Sequence, residues 1–202
     1  MTGLAALVWQ ALLTTLRDPR QGARQVLSLA PPMEARWLAA GIVIVLSLLL
    51  SRILLMLTPA GPASPFEAML TNPVAAAVTQ ALLILGLAFG MSAVAARFGG
   101  RARFADGLLL AAWLEFVLLA VQVALIAVIL VVPVLSFVAG AVSVVLFFWY
   151  LTVFTAEANG FRSTGKTFAG VIVGLVAGVF LMALVLTVLG LAPQIAEVPA
   201  GV

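Results

Sequence analysis

The sequence predicts an all-α polytopic membrane protein: five transmembrane helices with an amphipathic interfacial helix at the N-terminus. Three observations carry this. Only 8% of the 202 residues are charged and 65% are hydrophobic, whereas a soluble domain is roughly 25% charged. The mean hydropathy of +1.29 leaves too little polar side chain to cover a water-facing surface. Five apolar runs also reach the length of about 20 residues that a helix needs to cross a bilayer.

The runs are Leu38–Leu57, Val74–Ala96, Gly107–Val132, Val134–Ala156 and Phe168–Leu191, each bounded by proline, glycine or charge. Backbone groups inside lipid must bond within their own segment, so each run is expected to be a helix. Only Pro133 separates the third from the fourth, which predicts a tight hairpin. Before the spans, Leu4, Leu7, Val8, Ala11, Leu12 and Leu16 form a helix-spaced stripe beside Trp9. It is too short to cross and is followed by Arg17, Asp18, Pro19 and Arg20 rather than a cleavage site, so it reads as a helix lying in the interface. A second short helix is expected to open with Asp18 as cap and Pro19 at its first position. It should carry Arg20 and Arg24 on one face and stop at Pro31 and Pro32. The implied division is residues 1–32 as a basic N-terminal segment, 33–195 as the five-helix domain and 196–202 as a short external tail.

Charge sets the expected orientation. The N-terminal segment holds Arg17, Arg20, Arg24 and Arg36; the second loop holds Arg97, Arg101 and Arg103; the loop after the fourth span holds Arg162 and Lys166. The opposite side carries Glu67 and Glu197 and no basic residue. The positive-inside tendency then places the N-terminus in the cytoplasm and the C-terminus outside. The use of arginine rather than lysine suggests a bacterial cytoplasmic (inner) membrane. The turn Arg97–Asp106 is the hinge of the scheme: Gly99 and Gly100 end one helix, and Asp106 favours the start of the next.

Few residues offer chemistry. Arg52 and Glu115 lie within spans, where an ionisable group costs a few kcal/mol and is a functional candidate. Glu115 lies deeper than Arg52. Gln80 and Gln122 project to about the outer-third level of Arg52, and Gln122 follows Glu115 by seven residues on one helix face. Arg52, Gln80, Glu115 and Gln122 are therefore expected to form an intramembrane polar cluster. Its readings are structural glue, snorkelling of Arg52 to the headgroups, or a substrate or proton path. Gly86 and Gly90, and Gly170, Gly174 and Gly178, recur at four-residue spacing and suit close helix packing, within the bundle or between copies. Trp9, Trp37, Trp113 and Trp149 project near the inner leaflet, where Trp113, Trp149 and Tyr150 would form an aromatic belt.

The chain contains no cysteine and no histidine, which removes thiol nucleophiles and the commonest metal ligands. Its only aspartates, Asp18 and Asp106, are interfacial, and no phosphate loop or nucleophile elbow is present. No enzyme activity, metal or cofactor is expected. The basic residues flank the membrane, so nucleic acid is not an expected partner; the bilayer, other membrane proteins or a second copy are.

The entry Asp18–Arg20, the Gly99–Phe104 turn leading to Ala112–Trp113, and the Phe147–Tyr150 run resemble the Yip (Ypt/Rab-interacting) family, especially its bacterial members. The resemblance implies a five-helix bundle with a cytoplasmic N-terminus. The D-L-Y-G-P signature of eukaryotic members is absent, so GTPase binding does not carry over. The function expected is a non-enzymatic scaffold, adaptor or accessory subunit of a membrane assembly. The alternative is a small transporter or channel subunit using the polar cluster.

Overall fold

The computed structural model describes residues 2–57, 72–188 and 190. The chain is all-α: among the described residues there is no strand, and 89% of the structure is helical. Two short helices, α1 (Thr2–Arg17) and α2 (Pro19–Ser28), precede five long ones. These are α3 (Met33–Leu57), α4 (Pro73–Phe89), α5 (Phe104–Val131), α6 (Ser136–Asn159) and α7 (Thr164–Val188). All five are long and apolar enough to cross a membrane.

Their outward faces require lipid. On α7, Val173, Val176, Phe180 and Leu184 fall on one side, with Phe180 78% and Val176 68% exposed. A contiguous apolar stripe of this kind is not tolerated against water. The protein is therefore a multi-pass membrane protein in contact with the bilayer.

Side-chain links between helix ends show how the bundle is strung. Arg36 at the start of α3 pairs with Asp106 at the start of α5, Nη1 to Oδ1 at 2.9 Å. Arg20 of α2 donates to Thr164 Oγ1 at the start of α7 (2.8 Å). Asn159 at the end of α6 donates to the Met91 carbonyl beyond α4 (2.8 Å). The starts of α3, α5 and α7 and the ends of α4 and α6 thus share one end with α1 and α2. Every basic residue except Arg52 lies at that end.

The centre is α5. Its first half buries Gly107 through Ala112, Leu114 and Val117 on all sides, as expected of a helix wrapped by neighbours. It packs against α3, α4, α6 and the α1–α2 hairpin. Beyond Val117 this cover thins, and most residues from Gln122 to Val132 are exposed.

Helices overrun the apolar stretches that predicted them. α3 begins at Met33, directly after Pro31 and Pro32, and α7 begins at Thr164. α6 continues to Asn159, where Gly160 takes a left-handed φ of +71° and stops it. Polar residues at these ends keep the backbone ladder intact, so hydropathy underestimates helix length. Pro133–Leu135 forms a single 3-10 turn joining α5 to α6. Leu189 and Leu191, the loop glutamate Glu67 and the tail with Glu197 fall outside the described residues.

The second span is interrupted. Gly90–Val94 forms a π-turn that continues α4. Ala95 N–H reaches back to the Gly90 carbonyl, which leaves the Met91 carbonyl available to Asn159. Such widened turns concentrate at functional sites.

Candidate functional site

Three places combine polar chemistry with defined geometry: the basic end, an embedded amide–carboxyl pair, and a cleft between α4 and α7.

At the basic end, Asp18 caps α2 through Oδ1, which accepts from Arg20 N–H (2.9 Å) and Gln21 N–H (3.1 Å). Pro19 occupies the first helical position, where a missing N–H costs nothing. Four-residue spacing puts Arg20 and Arg24 on one face, and both reach Glu157 of α6. Arg24 Nε donates to Glu157 Oε2 at 2.8 Å, and Arg20 Nη1 lies 3.7 Å from Oε1. The hydrogen bond and then the charge of Glu157 raise the Arg24 pKa above the ordinary arginine value. A raised arginine pKa contributes stability below that ordinary value and loses it only as pH climbs through the folded one. This side of the contact therefore does not titrate near neutrality.

The hairpin is seated in the bundle. Gly22 lies directly on Thr15, and a Cβ there would sit 2.6 Å from Thr15 Cα. Trp113 of α5 donates its indole N–H to Thr15 Oγ1 (3.1 Å). Leu12, Ala23 and Val26 join the main core. α1 is nevertheless two-faced: Trp9, Leu13 and Leu16 share an outward side, with Trp9 60% exposed. Between α1 and α2 runs a polar groove of about 670 Å³ lined by Gln10, Thr14, Arg17, Gln21, Gln25 and Ser28, among others.

The expected aromatic belt is only partly present. Trp9, Trp37 and Trp149 are exposed, but Tyr150 is 3% exposed and packs edge-on against Phe154, ring centroids 5.9 Å apart. Tyr150 belongs to the main hydrophobic core instead of the surface. Trp113 is half-buried and holds α1 in place.

Asn159 was not singled out by its sequence. It is 3% exposed. Its Nδ2 donates to Met91 O (2.8 Å) and Thr155 O (2.9 Å), while Oδ1 accepts from Ala102 N–H (3.1 Å). Gly100 packs so closely on this amide that a Cβ would collide with it. One side chain thus ties together the π-turn, α6 and the Arg97–Asp106 turn. An asparagine before glycine reads as an ordinary helix stop, which hides the role. Asp106 completes the turn: Oδ2 accepts from Arg103 N–H at 3.4 Å while Oδ1 holds Arg36. Arg97, Arg101 and Arg103 point outward, exposed.

Inside the spans, the structure joins Gln80 to Glu115: Nε2 donates to Oε2 at 3.1 Å. Both are half-buried, as is Arg52. Gln122 is exposed and makes no hydrogen bond among the described residues. Its helix has lost its neighbours at that level, so the seven-residue spacing from Glu115 points it out of the bundle. Ser143, Thr155 and Thr187 donate to carbonyls four residues back in their own helices, which satisfies each locally.

Four of the regularly spaced glycines do not meet another helix. A Cβ added at Gly86, Gly90, Gly170 or Gly178 would find nothing within 4 Å. Together with Gly174 they line a cleft of about 790 Å³ between α4 and α7. The glycine at a close helix crossing is instead Gly107, where a Cβ would lie 2.5 Å from the Ala88 carbonyl oxygen. Four-residue spacing marks a face without saying what lies opposite it. Arg162, Ser163, Lys166 and Thr167 stand at one end of the cleft.

Comparison with models of known families, with characterised proteins and with solved structures finds no match to this chain.

Proposed function

We propose that this chain is a non-enzymatic scaffold or adaptor of a bacterial cytoplasmic membrane, with its basic end and N-terminus in the cytoplasm and its C-terminus outside. The observation that carries this reading is how polarity is distributed. At the basic end, hydrogen bonds and ion pairs fix the α1–α2 hairpin, the Arg97–Asp106 turn and the end of α6 into one platform with an open polar groove. Within the spans Gln80 donates to Glu115, and Gln122 is exposed, turned away from the bundle. A conduit needs polar groups at successive depths facing one path. Ser143 and Thr155 of α6 and Thr187 of α7 bond their own helices instead, while Thr152 Oγ1 is enclosed without a partner among the described residues.

The five-span layout with its basic turn suits the Yip-like family suggested by the sequence, whose eukaryotic members work through protein contacts. The groove between α1 and α2 is the surface proposed to take a partner. Its test is purification of the full chain in mild detergent, beside a Gln21→Trp/Gln25→Trp variant that fills the groove. A protein recovered in stoichiometric amount with the wild type and lost from the folded variant is expected. A wild type that purifies alone contradicts the adaptor reading.

A further inference from the structure

We infer that the cleft between α4 and α7 holds one acyl chain of an anionic glycerophospholipid, with the phosphate at Arg162 and Lys166. This goes beyond the scaffold reading and does not depend on it.

Shape comes first. The cleft follows α7 from Lys166 to Met182, sixteen residues or about 24 Å at the helical rise. One leaflet of hydrocarbon is about 15 Å deep, half of a bilayer core, so a whole acyl chain fits along it. The volume of about 790 Å³ is that of a ligand site rather than a packing defect. Glycines on both walls keep the shaft open, because no Cβ projects into it from Gly86, Gly90, Gly170 or Gly178. The π-turn forms part of the α4 wall through Gly90 and Met91.

Charge then selects the occupant. The shaft is apolar, and its polar groups gather at one end, where Arg162 and Lys166 are exposed. Neither makes an ion pair among the described residues. The carboxylates at that end are already engaged: Asp18 caps α2, Asp106 holds Arg36 and Glu157 holds Arg20 and Arg24. Among the described residues only Glu34 is left at that end, on α3, away from the cleft. A second copy of this chain would bring mainly bound carboxylates and more arginine to the mouth, with Glu34 its one uncommitted carboxylate among the described residues of that end. A lipid phosphate brings the missing negative charge on a molecule that also supplies the apolar chain.

The test is native mass spectrometry of the delipidated full chain in detergent, titrated with dioleoyl phosphatidylglycerol and with dioleoyl phosphatidylcholine. One phosphatidylglycerol per chain, bound in preference to phosphatidylcholine, is expected. Arg162→Ala/Lys166→Ala should weaken phosphatidylglycerol binding about thirtyfold, toward the phosphatidylcholine level. Gly170→Leu and Gly178→Leu, which plug the shaft where space is open, should each abolish the adduct without lowering the melting temperature. Equal binding of the two lipids, or retention of the adduct in the plugged variants, marks surface lipid only and overturns the proposal. So does efficient Gly178→Cys disulfide formation between copies, which would place a second chain in the cleft.

Discussion

Replacing Asn159 by alanine removes three hydrogen bonds from a side chain that is almost wholly enclosed. The Thr155 carbonyl keeps its helical partner, so the loss falls on two groups: the Met91 carbonyl, released by the π-turn, and the Ala102 N–H in the basic turn. The enclosed Met91 carbonyl left without a partner costs about 1–3 kcal/mol and the part-buried Ala102 N–H adds less, so Asn159→Ala should destabilise by about 2–4 kcal/mol. For a chain of this size the melting temperature should fall by roughly 5 °C or more. Asn159→Asp should be no milder, since it keeps the acceptor for Ala102 but sets a carboxylate against the Met91 carbonyl. Gly100→Ala supplies the cross-check, because its methyl would strike the Asn159 amide. Its cost should shrink in the Asn159→Ala background, a coupling that a double-mutant cycle reads directly. The assay is thermal melting of detergent-solubilised protein. An Asn159→Ala protein that melts within about 1 °C of wild type, a shift worth well under 1 kcal/mol, would refute the reasoning.

The glycines divide into two classes that melting should separate. Gly107→Val and Gly22→Leu force side chains into Ala88 and Thr15 and should each cost about 1–3 kcal/mol or more. Gly86→Ala and Gly178→Ala meet open space and should be neutral or stabilising by up to about 1 kcal/mol, the helix preference for alanine. For topology, compartment-specific reporters fused after Ala63, Gly100 and Val202 should report outside, inside and outside. Any other pattern contradicts the proposed orientation.

Much of the fold could be read from local chemistry. Asp18–Pro19 announced the start of α2, and the structure shows that cap in place. The spans were visible because lipid admits only long apolar helices, and Pro133 marked the hairpin because it removes a backbone donor. The Gln80–Glu115 contact joins two members of the expected cluster, although depth arithmetic sets Glu115 deeper than Gln80. Gln122 escaped it because the cover of α5 thins beyond Val117, and periodicity does not reveal how far neighbours extend. The spacing of the glycine ridges suits packing within the bundle or between copies, and within one chain the ridges border a cleft; the crossing at Gly107 has no repeat to announce it. The burial of Tyr150 depends on which helices enclose it and the role of Asn159 on where the π-turn lies, and both are tertiary facts. A π-turn adds one residue to a helical turn and leaves no pattern in a uniformly apolar run.

The central claim is that the polarity inside the membrane is structural and that the working surface is the basic end. Proton and cation flux into proteoliposomes, measured for wild type and Glu115→Gln, tests it most directly. Glutamine keeps a hydrogen-bonding partner for Gln80, so the variant should melt within about 1 kcal/mol of wild type, the net worth of one such bond. Both proteins should leak no faster than empty liposomes. Flux in the wild type that vanishes in a stable Glu115→Gln protein would contradict the account and make Glu115 part of a conduit.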